Sequence, residues 1–311
     1  MADGKPVGAA LPASLEAGSK RVLLKYHTLL SGTGRHEAHT VEALHEVLTG
    51  GAAAIEFDVN LLGDGHYALI HDDVLEHETS GAGRVSRLDR AAFKQLTLRG
   101  SGASTCVLDD VTEVLQTVRR PLKVQLDYKV VRPLSRDEAI DFLRQLEPLR
   151  GNGALTVVVG CVADWNLRTL RRLDPEVGLG FDPMLYLDAA VDAAVRLPTR
   201  VNAYGYYDDH PLGFRRLQAV SDYLRDRVET LAAQVPGAVE YYLRNDLVVR
   251  ALDDGFDMIH AFHALAPGAV VDVWTLDYGK LGAAETLRRV LERGPDQITT
   301  NTALQWAERL G

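Results

Sequence analysis

Glu56 and Asp58, two residues apart inside the apolar run AAAIEFDVNLL, are the strongest chemical signal in this 311-residue chain. Ionised carboxylates in such a run are costly unless they face a cation, a partner charge or a water-filled mouth. The stretch continues through GDG into HYALIHDD, which adds His71. An Asp-Gly pair between two apolar runs signals a type I′ hairpin. With Asp64 and Gly65 as the turn, cross-strand partners sum to 129. Asp58 then lies opposite His71, and Glu56 shares their face because side chains alternate along a strand. Two carboxylates in oxygen-rich surroundings suit Mg²⁺ or Ca²⁺ better than zinc. The alternative is a surface Asp–His pair on an exposed strand, against which the flanking AAAI and ALI argue.

The rest of the chain must supply the elements that hold these groups. Short apolar runs alternate with helical patterns. The predicted strands are 21–26, 53–61, 66–71, 122–130, 154–162, 177–181, 270–276 and 296–300, and helical periodicity marks 40–50, 108–118, 135–149, 164–173 and 283–294. Eight strands with mostly intervening helices predict an α/β chain folded as a (β/α)8 TIM barrel, with a doubly wound open sheet as competitor. SGTGR (31–35) lacks both the dinucleotide spacing and the P-loop lysine, and reads as a turn. Residues 1–20 read as a flexible leader and 21–311 as one barrel. The segment from about 183 to 255 exceeds an ordinary strand-to-helix connection. It reads as a helix-rich insertion near the C-terminal mouth, with Tyr204, Tyr206, Tyr207, Arg215, Arg216 and Arg244 positioned to contact substrate.

Composition narrows the partners. A hydrophobic content of 46% and charged content of 25% are those of a globular protein. The net charge of −9 speaks against non-specific nucleic-acid or anionic-membrane binding. Cys106 and Cys161 have no metal-like spacing and read as reduced, buried thiols. No run approaches the roughly 20 apolar residues of a membrane span, and the N-terminus lacks a signal-peptide stretch, so the expectation is a cytoplasmic protein without stable membrane insertion. Oligomeric state is not legible.

GAAAIEFDVNLLGDGHYALIHDD followed by SGAGRV resembles the signature region of the glycerophosphodiester phosphodiesterases. The similarity continues in TCVLDDVTEVL, LKVQLDYK, VDVWTLD and GPDQITTN, over residues 22–182 and 256–302. The resemblance implies a TIM barrel with its site at the C-terminal mouth. It implies metal ligation by Glu56, Asp58 and Asp127, the last standing where the family usually has Glu. It also implies that Lys129 faces phosphate or balances the carboxylates, and that Trp274 packs on the alcohol portion of the substrate. The family's histidine pair maps to His27 and His71, one imidazole accepting the nucleophile's proton and the other protonating the leaving oxygen. The family reads His-Arg-Gly at the first histidine, whereas this chain reads His27-Thr28-Leu29, and Thr28 carries no guanidinium. Lys25 and Arg35 are the candidates to replace it. The Glu-Asn-Thr motif stands as Glu37-Ala38-His39-Thr40, and His36 with His39 reads as a surface pair at a helix start rather than a metal site. Asn301 and its neighbouring threonines line the mouth or cap turns.

The expected function is metal-dependent hydrolysis of a small-molecule glycerophosphodiester to an alcohol and glycerol phosphate. The alternatives are a phospholipase D-like lyase acting on a lipid head group and a degenerate barrel that binds a phosphorylated ligand without turnover.

Overall fold

The computed structural model describes residues 10–18, 20–187 and 219–310. Its chain enters through β1 (Ser14–Ala17), which pairs antiparallel with β2 (Lys20–Tyr26). Leu11 and Leu15 are buried in the core, so the expected leader is packed structure from residue 10 to 18, and residues 1–9 lie outside the described residues. The reason is visible in the pattern: Leu15 anchors a short edge strand and Leu11, three residues before that strand, donates its N–H to Gly50 O, both in a Gly- and Ala-rich context that disguises them.

Eight parallel strands close into a barrel: β2, β3 (Ala54–Leu61), β5 (Leu122–Tyr128), β6 (Leu155–Cys161), β7 (Leu179–Phe181), β8 (Glu240–Arg244), β9 (Val270–Trp274) and β10 (Gln297–Thr300). Closure comes from β10, which pairs with β9 on one side and with β2 on the other. Helices cover the outside, among them α1 (Val41–Thr49), α4 (Arg136–Arg150), α5 (Asp164–Leu173), α7 (Asn245–Asp253) and α9 (Ala283–Leu291). Their starts follow side-chain chemistry. Thr40 accepts from Ala43 N–H to open α1, and Ser135 with Glu138 forms a capping box at α4. The doubly wound alternative is excluded by the closed pairing.

The barrel's membership differs from the sequence expectation at two strands. HYALIH is no barrel stave; only β4 (Tyr67–Ala68) forms, antiparallel on β3. The missing stave is β8, inside the segment assigned to the insertion. Residues 220–253 of that segment therefore supply helix α6 (Val220–Gln234), the barrel strand β8 and helix α7, while 188–218 lie outside the described residues. Tyr204, Tyr206, Tyr207, Arg215 and Arg216 fall there.

The barrel interior is polar. Lys25 ion-pairs with Asp272, donates to Gln125 Oε1 and sits 4.5 Å from the Tyr242 ring centroid. Gln297 and Thr299 donate to Asp272 over 2.8 and 2.7 Å. Tyr242 lies over the neighbouring strand β7, where a Cβ on Gly180 would meet its hydroxyl at 2.1 Å, so the ring in this position needs glycine there. Because side chains alternate, residues two further along each strand face the C-terminal mouth. They are His27, Asp127, Asp182, Arg244, Trp274 and Asn301. Lys25, buried one layer below and committed to Asp272, is not available to replace the absent guanidinium. Arg35 lies 3.8 Å from Glu46.

Candidate active site

Strand β3 places Glu56 and Asp58 on its interior face, 3% and 0% exposed, and β5 runs beside it with Asp58 aligned to Asp127. One oxygen from each of Glu56, Asp58 and Asp127 lies within 4.8 Å of the others. Glu56 Oε2 accepts from Thr28 N–H at 2.9 Å, while buried Glu56 Oε1 has no hydrogen-bond donor among the described residues. Burial, then the Asp58 charge, pushes the Glu56 pKa up. Three hard carboxylates with one buried oxygen unpaired fit a divalent cation bound through oxygen.

Lys129 projects into the same group, its Nζ 2.6 Å from Asp127 Oδ2 and 2.9 Å from Asp58 Oδ1. Burial works against its ammonium, but the two carboxylates hold its pKa well above the ordinary lysine value. Burial likewise opposes ionisation of Asp58, yet Lys129 and the His39 bond keep its carboxyl well below the usual range. Lys129 thus forms ion pairs with two of the three acids.

The hairpin does not bring His71 to Asp58. Leu62 N–H donates to His66 O, and the ladder pairs Asn60 with Ala68 and Leu61 with Tyr67, so partners sum to 128 rather than 129. The loop is Gly63-Asp64-Gly65 with Gly65 at φ 87°. A tertiary contact selects it: Gly63 N–H donates to Leu88 O, and a Cβ on Gly63 would meet Ser86 O at 3.0 Å. A slip of one residue reverses the face of every side chain on the arm. His71 instead stands at the rim, its side chain 57% exposed and its Nδ1 2.7 Å from Asp72 Oδ1.

His39 occupies the place beside Asp58. Its Nε2 is 3.0 Å from Asp58 Oδ2, and the residue is 3% exposed, so it is no surface pair with exposed His36. Burial disfavours its charge, but the bond to Asp58 and the surrounding carboxylates leave its pKa raised. His39 adopts φ 59°, a left-handed conformation that Asn, Asp and His tolerate best, immediately before the Thr40 cap. That preference, at the place where the resembled motif carries Asn, was the sequence signal available for it.

His27 follows β2 at the mouth. Asn301 is fixed by Asp277, which accepts from its backbone N–H at 2.8 Å and its amide N–H at 3.0 Å. The Asn301 amide oxygen therefore turns to His27 Nδ1, 2.9 Å away. An oxygen there can only accept, so Nδ1 carries the proton and Nε2 faces Glu56, 3.8 Å from Oε2. Burial acts against ionisation of Asp277, but the Asn301 bonds and Lys280 keep its pKa lowered. Asp277 was given no role from sequence, although it closes the VDVWTLD stretch that carries the resemblance. Trp274 ends β9 beside Arg244 of β8, half-buried. Asp182, at the end of β7, caps Met184 N–H at 2.8 Å, and burial raises its pKa to about 8. Cys106 and Cys161 are free and buried.

A model of the glycerophosphoryl diester phosphodiesterase family matches residues 31–304. A Mycobacterium tuberculosis protein named probable glycerophosphodiester phosphodiesterase 1 is 30% identical over 176 residues, or 50% of this chain and 64% of that protein. The match therefore spans just under two thirds of that relative. A glycerophosphodiester phosphodiesterase from Parabacteroides distasonis superimposes with a TM-score of 0.61 at 15% identity, covering 92% of this chain and 95% of that one. An Oleispira antarctica phosphodiesterase, solved with the product sn-glycerol-3-phosphate, gives 0.57 at 16% identity over 92% and 95%. Among the described residues, no helix is long and apolar enough to cross a membrane.

Proposed function

The chain belongs to the glycerophosphoryl diester phosphodiesterase family, and from that premise we propose that it hydrolyses a small glycerophosphodiester to an alcohol and glycerol phosphate at this barrel mouth. The observation that carries the proposal is the convergence of Glu56, Asp58 and Asp127 beside Lys129 and His27. Glu56, Asp58 and Asp127 would hold a divalent cation, Mg²⁺ or Ca²⁺, whose chemistry when bound is to polarise a phosphoryl oxygen. Lys129 shares the neutralisation of the acids and approaches the phosphate from the same side. His27, with its proton held on Nδ1, presents Nε2 as a base for the attacking hydroxyl or water. His71, exposed at the rim, would serve as the acid for the leaving oxygen. Trp274 offers an apolar surface to the alcohol portion.

The absent family arginine does not remove positive charge from the mouth. Arg244 lies at the end of β8 next to Trp274, with its guanidinium paired to Asp246 at 2.6 Å, and Lys129 adds a second positive charge beside the acids. The His27 imidazole, with Nδ1 held by Asn301 and Nε2 turned to the acid cluster, favours turnover over the degenerate, ligand-binding barrel. A cytoplasmic location is part of the same proposal and is read by cell fractionation. The test is turnover of a panel of glycerophosphodiesters and lysophospholipid head groups with Mg²⁺, Mn²⁺ and Ca²⁺. Hydrolysis of at least one glycerophosphodiester is expected. Turnover of the lysophospholipids alone would transfer the assignment to the lyase reading, and turnover of none to the binding reading.

A further inference from the structure

We propose that the rim carries a second cation site, built from His71, Asp72, His77 and Glu78, which takes a borderline transition ion of the zinc type and inhibits the enzyme by holding the His71 imidazole. The inhibitory half rests on the proposed catalytic role of His71; the binding half does not.

The chain prepares the site locally. A tight turn over Leu75–His77 folds His77 and Glu78 back onto His71 and Asp72. Glu78 fixes the approach, its carboxylate accepting Asp72 N–H at 2.8 Å and His71 N–H at 3.4 Å. Asp72 then lies between two rings, with His71 Nδ1 2.7 Å from one oxygen and His77 Nδ1 2.5 Å from the other. Ligand atoms of His71, Asp72 and Glu78 all fall within 4.8 Å of one another. Without an ion the two Nδ1–H groups donate to Asp72. A metal replacing the His71 proton meets that nitrogen with oxygens of Asp72 and Glu78, and the His77 ring, bonded to the other Asp72 oxygen, turns in as the fourth donor.

The donor set separates this site from the mouth. Glu56, Asp58 and Asp127 offer oxygen alone, which suits a hard cation, whereas two imidazoles with carboxylates suit zinc and its neighbours. The ligands are also accessible: the His71 and His77 side chains are 57% and 65% exposed, and those of Asp72 and Glu78 are 34% and 27% exposed. If the rings served only to brace Asp72, one would suffice, since Glu78 already orders the backbone at 71 and 72.

Zinc titration calorimetry in excess Mg²⁺ tests the binding half on the wild type, His77→Ala, Glu78→Gln and Asp58→Asn. One zinc is expected in the wild type and in Asp58→Asn. His77→Ala should weaken it by about tenfold or more, a ligand costing no less than an outer-shell partner, and Glu78→Gln should weaken it as well. Equal affinity in wild type and His77→Ala would overturn the site, as would its loss in Asp58→Asn, which would move the ion to the mouth. Initial rates, each normalised to the variant's own zinc-free rate, test the inhibitory half. His77→Ala should need proportionately more zinc for the same inhibition. Zinc bound at this site without inhibition would overturn the sequestration of His71 as a catalyst while leaving the site standing. A wild type inactive on every phosphodiester would overturn the hydrolase reading, and the calorimetry would still decide the site.

Discussion

Lys129→Met is the substitution whose consequence the structure fixes most closely. The replacement keeps much of the apolar stem but removes the ammonium that lies 2.9 Å from Asp58 and 2.6 Å from Asp127. Asp58 is 0% exposed and would retain His39 as its nearest counter-charge among the described residues. Breaking a buried pair by removing one partner costs about 3–5 kcal/mol. Asp127 is 28% and Lys129 20% exposed at the side chain, so water offsets part of the loss and the lower end, about 3 kcal/mol, applies. For a domain of this size that is a fall of roughly 6 °C in Tm, at about 2 °C per kcal/mol. A divalent cation should reverse much of it, because the carboxylates that lost their ammonium can face the ion instead. At a concentration about 100 times its Kd the ion adds about 2.7 kcal/mol to either protein. The variant, freed of the competing ammonium, should bind it more tightly and gain more. Differential scanning calorimetry in chelator and in saturating Mg²⁺ measures both quantities. An unchanged Tm in chelator, or a gap that Mg²⁺ does not narrow, would refute the charge-balance reasoning.

His27→Ala and His71→Ala should each lower kcat by about 10²–10⁴, the scale of a general acid or base; near-normal turnover in His27→Ala would transfer its role to His39. Asn301→Leu should lower kcat by about tenfold with KM little changed, a fraction of the general-base effect, because His27 loses the acceptor that holds its proton on Nδ1. Asp182 gives a pH prediction. Its pKa rises from the model-peptide value near 4 to about 8 in the folded protein. The native state therefore binds more protons between those values, and wild-type stability should fall relative to Asp182→Asn as pH rises from about 4 to about 8, then level off. Chemical denaturation at stepped pH reads the gap; a constant gap would refute it.

The barrel was legible because buried parallel strands are near-continuous apolar runs, such as KRVLLKY and AIEFDVNL. β8 was not, because EYYLR alternates Glu240 and Tyr242 into a polar interior and resembles no apolar run. HYALIH met the alternation rule and was counted in its place, so the number of strands agreed while one member differed. At the site, Glu56, Asp58, Asp127, Lys129 and His27 were named from local motifs that strand alternation carries directly to the mouth. What escaped depended on contacts distant in sequence. The Gly63–Leu88 bond sets the hairpin register, the fold of the loop after β2 delivers His39 to Asp58, and Asp277 acts only through Asn301.

The most direct measurement is ³¹P NMR of a glycerophosphodiester incubated with the enzyme, in Mg²⁺ and in chelator, for wild type and Asp58→Asn. The account predicts conversion to glycerol phosphate, directly or through a cyclic phosphate, by the wild type in Mg²⁺. It predicts no conversion in chelator and none by the folded Asp58→Asn variant. Equal conversion with and without metal, undiminished in Asp58→Asn, would contradict it.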